Sequence, residues 1–446
     1  MARLPHLQTR IDVSALMSHL PIPRLSSRPR NTHPRFFSAT RGRVASKLVA
    51  SLLCLTLLAN ACQSPTTPAG SATVTSVLTQ PPSASPAIRL TASPTSQHLA
   101  APSASPSSTP PPPTATDEIT PTAPPITTLL FTGVIVPARC VQATLDENGN
   151  PDYLYEEVRH LISGADLAVG VLNASMSDRV AQTGCARTFQ LVGRANNAGA
   201  AQRAGFDLMS VASNHIKDCG KMKSWCDFAL LDTLDNLQRA GIQTVGAGSD
   251  LAEALQPVVF TINGVRFGFV SLGDRKMDQN IFAGPDNPGI ANLTPENLQQ
   301  AMSQVRKMAD VVIALPHWGS EYNSIPSLRQ RQQAGELIDA GADLIVGNHT
   351  HVVQAIDEMA GIPVFFGLGN FVFDQDLREQ RQGVILLIKF QGTKYLGYEL
   401  IPTRVYPDGR VHIAVPAEAT EVMERIQFAS QGITPTPSKQ PLKNLP

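Results

Sequence analysis

Short apolar runs alternate with amphipathic stretches along residues 128–427. The runs occupy 129–136, 167–172, 208–212, 243–246, 258–262, 267–272, 311–315, 344–346, 364–367 and 384–390. Their length and β-branched content predict strands. Residues 227–240, 295–308 and 325–340 read instead as helices with one apolar face. Asn263-Gly264 lies between two of the runs and is a strong hairpin signal. Pro407-Asp408-Gly409 marks another turn. Strands alternating with helices predict an α/β fold. So many strands predict two packed sheets flanked by helices rather than one open sheet. No internal repeat recurs at a fixed period.

The pattern stops on both sides of this block. Residues 62–127 are almost all Ser, Thr, Pro and Ala, with Arg89, Asp117 and Glu118 as their only charges. Such a stretch cannot bury enough apolar surface to offset chain entropy, so a disordered linker is expected. Pro110 to Pro113 stiffen it toward polyproline II. It reads as a tether, or as a spacer with no specific partner. Residues 428–446 repeat the character and predict a disordered tail.

Residues 1–61 hold nine basic residues and one acid, Asp12. Arg41, Arg43 and Lys47 precede an apolar run from Leu48 to Ala59, which meets Asn60-Ala61-Cys62. A basic segment, a short apolar segment and a small residue at the cut are the parts of a secretory signal. Leu58-Ala59-Asn60-Ala61-Cys62 resembles a lipobox, with Asn60 departing from it, so Cys62 is the expected lipidation site. The alternative is an ordinary cleaved signal in which Cys62 is incidental. The basic segment is long for either type, and a start near Val44 would give an ordinary length. The expected location is the bacterial cell envelope, with the membrane reached through a lipid anchor.

Composition narrows the partners. The chain has 446 residues, 36 Lys+Arg and 36 Asp+Glu, 16% charged and 42% hydrophobic residues. Zero net charge argues against a nucleic-acid protein held by phosphate neutralisation. Loss of the leader removes nine basic residues and one acid, leaving 27 against 35 and a charge of −8. The field of the mature chain would not draw polyanions.

Four cysteines lie in the block: Cys140, Cys185, Cys219 and Cys226. An exported domain with an even count allows two disulfides. Cys219 and Cys226 can bridge a local loop, and Cys140–Cys185 follows by elimination. Four buried thiols are the alternative. None of the spacings suits a zinc site.

Polar residues follow directly after several predicted strands, where ligands gather in α/β folds. After 208–212 come Ser213-Asn214-His215-Ile216-Lys217-Asp218. Asn214 can bind a metal or cap a helix; His215 can donate a proton, and Asp218 can orient it. After 311–315 come Pro316-His317-Trp318, with His317 a metal ligand or a satisfied loop imidazole. After 344–346 comes Gly347-Asn348-His349-Thr350-His351. Two imidazoles two residues apart favour metal binding over chance. Gly369-Asn370, within 366–374, reads as a structural turn. Together these give N and O donors of the kind divalent transition metals accept.

This set resembles the capsule and poly-gamma-glutamate synthesis (CapA-like) family, which has a calcineurin-like metallophosphatase fold. The matching words are Gly205-Phe206-Asp207 through Asn214-His215 and Asp218, then Pro316-His317-Trp318-Gly319 with Glu321-Tyr322. They continue with Ile338-Asp339-Ala340-Gly341-Ala342-Asp343, Gly347 with His349, His351 and Val352, and Leu368-Gly369-Asn370-Phe371-Val372-Phe373-Asp374. The resemblance implies a four-layer α/β/β/α sandwich with a metal cleft at the strand ends. It implies that Asn214, His317 and His349 hold one metal, that His351 helps hold a second, and that His215, poised by Asp218, is the acid or transition-state stabiliser.

Two positions depart from the family. Thr132-Gly133-Val134 puts Val134 where a metal carboxylate should stand. Gly170-Val171-Leu172-Asn173 puts Val171 and Asn173 at the positions of an Asn and a Glu. Neutral ligands alone leave a dication uncompensated in a partly buried cleft. The expected cofactor is therefore a divalent metal (Mn, Fe or Zn), with at most one ion held.

Three functions compete. The first is a tethered protein that makes, anchors or handles a surface polymer, together with polymer-synthesis proteins. The second is a metal-dependent phosphoesterase whose missing carboxylates come from Asp178, Asp274 or Glu321. The third is a polymer-binding module without chemistry. Arg139, Arg187 and Arg194 are candidates for a local basic patch on the acidic mature chain.

Overall fold

A computed structural model describes residues 123–220, 226–274 and 276–433. The leader, Cys62 and nearly all of the expected linker lie outside the described residues.

The first sheet is built on β1 (Ile126–Ile135), β2 (Leu167–Leu172), β3 (Leu208–Ser210) and β4 (Gln243–Val245), all parallel in that order. The second contains the β5 (Val258–Ile262) and β6 (Val265–Asp274) hairpin, then β7 (Val311–His317) and β8 (Leu344–Val346) parallel to β6. β9 (Ile356–Met359) and β10 (Ile362–Phe365) close its far edge, β10 against β8. The chain then returns to the first sheet. β11 (Asn370–Val372) pairs with β1, and β12 (Gln382–Gln391), β13 (Lys394–Val405) and β14 (Val411–Ile413) extend the sheet beyond β1 as an antiparallel meander.

Alternation along the strands fixes the layers. In β7, Val311, Ile313 and Leu315 join one core while Val312 and Ala314 join another. Leu344 and Val346 of β8 share the first of these with Leu129 and Phe131 of β1, so that core lies between the sheets. Phe267 and Phe390 meet across it edge to face at 5.4 Å, worth about 0.5–1.5 kcal/mol beyond the area they bury. The second core packs the outer face of the second sheet against α4 (Pro295–Met308) and α5 (Leu328–Asp339). A third packs the outer face of the first sheet against α1 (Cys140–Asn148), α2 (Asn197–Ala204) and α3 (Asp227–Arg239). Three cores separate four layers, helix, sheet, sheet, helix, as expected. Strands covered on both faces read as unbroken apolar runs, and β2 and β7 are buried at every residue.

Several boundaries differ from the sequence reading. α5 begins at Leu328, not 325, because Pro326 precedes it and Ser327 caps it in a reciprocal capping box with Gln330. The last helix, α6 (Pro416–Gln431), runs past the tail boundary expected at 428. Val422, Ile426 and Ala429 lie buried along one face, and this stripe holds the final turn to the fold. The Asn263-Gly264 hairpin forms as expected, with φ of 52° and 80°.

The crossing of β1 over the 368–370 turn positions the site. Val134 N–H donates to Gly369 O at 3.0 Å. A Cβ on Gly133 would lie 2.3 Å from the same carbonyl oxygen. That contact is backbone and cannot swing aside. Gly133→Ala is therefore expected to cost about 1–3 kcal/mol, read as a lower urea midpoint; an unchanged midpoint would contradict this account of the crossing.

Candidate functional site

Strands of both sheets deliver the polar residues from their carboxyl ends. Asn173 follows β2, Asn214 and His215 follow β3, His317 ends β7, and His349 and His351 follow β8. The segment 214–217 is turn rather than helix, so Asn214 is free of the capping role the sequence allowed.

His317 stands at the centre. Its Nε2 lies 3.0 Å from Asn214 Oδ1 and 3.2 Å from His349 Nδ1. One ring nitrogen offers one in-plane hydrogen bond, so it cannot satisfy both neighbours. Its other nitrogen, Nδ1, is buried without a partner. A cation between the three atoms would take a lone pair from each. Ligand atoms about 2.1 Å from one ion lie about 3.0–3.4 Å apart, and both contacts fall in that range. Asn214, His317 and His349 thus fit one divalent cation. They bring no negative charge, and among the described residues no group of three or more His, Cys, Asp or Glu is arranged to hold a metal.

Burial keeps these imidazoles neutral, as ligands must be. His317 is held well below the usual histidine range by burial, then by the neighbouring His349, His351 and His215. Burial, then His351, brings His349 down to about 3.

His351 stands apart from the trio, its ring 6.2 Å from that of His349. Its Nδ1 donates to Asn370 Oδ1 at 2.8 Å. The amide orientation is fixed, because Asn370 Nδ2 donates to the carbonyls of Gln380 and His351 at 2.7 and 3.4 Å. The proton therefore sits on Nδ1 and leaves the Nε2 lone pair free. The turn read as structural is thus also the residue that sets the His351 tautomer. Burial first lowers His351 to about 4, helped by His215 and then Arg139 and opposed by the Asn370 hydrogen bond and by Glu321.

His215 Nδ1 lies 2.5 Å from Asp218 Oδ2, so Nε2 is its working atom. The His215 N–H donates to Asn173 Oδ1 at 3.2 Å, while Asn173 Nδ2 is buried without a partner. Val134 is fully buried and pairs in register with Val171 and Asn370. An amide therefore sits against the His215 backbone, and a methyl pair lies at the β1–β11 junction.

Two of the substitute carboxylates have partners of their own, although Asp274 still acts on His349 and Glu321 on His351. Asp178 accepts from Ala195 N–H at 3.1 Å. Asp274 is clasped by Arg329, with Nη2 at 2.6 Å and Nε at 2.9 Å. Burial pushes its carboxyl up, but Arg329 and Lys276 N–H outweigh this and hold it low. Glu321 is exposed beside Tyr322. The candidate basic patch is charge-paired, with Arg139 and Arg187 both meeting Asp374, the first at its carboxylate and the second at its backbone carbonyl. Arg139 pairs with Asp374, Arg187 with Asp376 and Arg194 with Asp146. Sequence reading missed Arg139 and Tyr322 as neighbours of His351; the Tyr322 ring lies 6.1 Å from it.

Two disulfides frame the region, Cys140–Cys185 and Cys219–Cys226, separated by 45 and 7 residues. On a loop-entropy basis, replacing the first pair by Ala should cost about 4 kcal/mol and the second about 2 kcal/mol. Urea denaturation of the two double variants checks this, and the reverse order would count against it.

Comparison with known proteins adds the family. Residues 128–375 match the model of the bacterial capsule synthesis protein PGA_cap. The PGA biosynthesis protein CapA of Bacillus subtilis is 29% identical over 289 residues, covering 64% of this chain and 72% of that protein. The capsule biosynthesis protein CapA of Bacillus anthracis is 28% identical over 286 residues, covering 62% and 67%. The solved NAD nucleotidase of Haemophilus influenzae overlaps 68% of this chain and 63% of its own at 12% identity, with a TM-score of 0.36, a likeness that carries no chemistry across. With more than half of its residues matched in one block, the chain belongs to the bacterial capsule synthesis protein PGA_cap family.

Proposed function

We propose that this chain is an exported, envelope-tethered bacterial protein. It works in the synthesis or anchoring of a capsule or poly-gamma-glutamate type polymer, through a cleft that holds at most one divalent metal. Family membership and the two capsule-synthesis relatives support the polymer role. The observation that carries the cleft is the convergence of Asn214 Oδ1 and His349 Nδ1 on His317 Nε2 with no carboxylate among them.

In this reading Asn214, His317 and His349 hold the ion. A bound divalent metal supplies Lewis-acid polarisation of a ligand oxygen. His215, oriented by Asp218, holds or moves a proton at Nε2. His351 keeps a lone pair at Nε2, fixed by Asn370. No helix among the described residues is long and apolar enough to cross a membrane. The tether falls to a lipid on Cys62, with residues 62–127 as the spacer and the polymer or its synthesis proteins as partners.

Metal content of the purified chain tests the cleft. No more than one equivalent of Mn²⁺, Fe²⁺ or Zn²⁺ should bind, His349→Ala should weaken it at least about tenfold, and phosphoester probes should not turn over. Two equivalents with turnover would instead establish a phosphoesterase. Cys62→Ser should move the protein from the membrane fraction to the soluble one; retention in the membrane would remove the lipid anchor from the reading.

A further inference from the structure

Six non-glycine residues among those described have positive φ: Arg139, Asn263, Tyr322, His349, His351 and Ala360. Asn263 and Ala360 precede Gly264 and Gly361 in the tight turns of the β5–β6 and β9–β10 hairpins, where such angles belong. The other four surround the cleft. Side chains in this region cost free energy and persist where the surroundings over-determine them. His349 is accounted for by the metal reading, and His351 is held by its hydrogen bond to Asn370. Neither accounts for Arg139, at φ 54°, or Tyr322, at φ 63°.

Arg139 sits in a frame built around it. Its side chain is 12% exposed. Nε and Nη2 donate to the two oxygens of Asp374, and Nη1 donates to Thr188 O at 3.1 Å. The next residue, Cys140, donates its N–H to Asp374 at 3.2 Å and is bonded to Cys185, three residues before Thr188. The guanidinium lies 5.0 Å from the Phe373 ring centroid, and that ring lies 5.3 Å from His351. The cation is thus carried to the His351 side of the cleft and held there. A guanidinium has five N–H donors. Three are used, and two have no acceptor among the described residues.

The surroundings suit an anion. Val134 and Asn173 bring no charge, and Asp218 and Asp274 are engaged by His215 and Arg329. Glu321 is exposed on the rim beside Tyr322 and is the carboxylate whose charge still reaches His351, softened there by water. We propose that Arg139 is an oxyanion-binding residue, its unused N–H groups taking a phosphate or carboxylate group of the ligand beside His351, where a fixed guanidinium replaces a second metal. Bidentate recognition of such groups is what arginine does best. Asp374, Phe373 and Thr188 act as positioning residues for it. The proposal rests on the cleft being the functional site, but not on the metal.

Calorimetric titration of the purified full chain with inorganic phosphate and with free glutamate, each with EDTA and with Mn²⁺, tests it. The wild type should bind one of the two under both conditions; tighter phosphate identifies a phosphoryl ligand, and tighter glutamate a carboxylate one. The double variant Arg139→Gln/Asp374→Asn replaces the ion pair by two neutral amides and spares the fold an unpaired charge. It should bind the preferred anion at least about tenfold more weakly, while its urea midpoint stays near wild type. Equal binding by the folded double variant, or binding of neither anion by the wild type, overturns the proposal. Two metal equivalents together with a lost anion in the double variant would sink only the single-metal reading.

Discussion

Burial of the surface between the two sheets dictates where the strand ends can go. Leu129, Phe131, Phe267, Ile313 and Leu344 must face one another across that layer. Once they do, β3 and β7 present their carboxyl ends at one rim, with Asn214 within hydrogen-bond distance of His317. Polar pins sit inside the same layer. Ser210 Oγ and Ser271 Oγ lie 2.8 Å apart, and Ser271 also donates to Leu315 O at 2.9 Å. The polar rim is thus a by-product of apolar packing, and residues far apart in sequence reach each other without any local motif holding them.

The rim's chemistry follows from what burial allows there. Nearly dry imidazoles stay neutral, and neutral imidazoles have lone pairs to offer. Where an acidic ligand is absent, the cost of holding a dication rises. The same absence leaves room for positive charge that is permanent and covalently placed. Arg139 meets that condition because Asp374 cradles one edge of its guanidinium without using all its donors. On the proposed reading the cleft divides into a half able to accept a cation and a half where a paired guanidinium still has N–H groups to offer.

Strands covered on both faces were legible because a short, unbroken apolar run between turn residues suits a doubly covered strand and little else; β2 and β8 appear with the bounds the sequence implied. β13 was not legible. Gly397 and Pro402 interrupt it, and its residues are half exposed, so neither alternation nor a continuous run marks it. α2 is rich in Ala and Gly, and its periodicity is too weak to read. The histidines at the strand ends and Asn214 stood out by position as a set, and their grouping into one trio came from the family resemblance. The arginines were misread because their partners are remote. Arg139 and Asp374 are 235 residues apart, and Arg187 and Asp376 are 189 apart. No spacing rule reaches that far, and three basic residues read in isolation look like a patch when each is already paired with an acid.

The bond between Cys140 and Cys185 puts a condition of timing on the molecule. Thiols stay reduced in the cytosol and join only in an oxidising compartment. Thr188 and Arg139 are brought together by the two chain segments that this bond ties. A chain still inside the cell would lack that tie, and its guanidinium would be less firmly aimed. On the proposed export route, completion of the cleft would follow passage into an oxidising compartment, so that the site is finished only after the chain has left the cytosol.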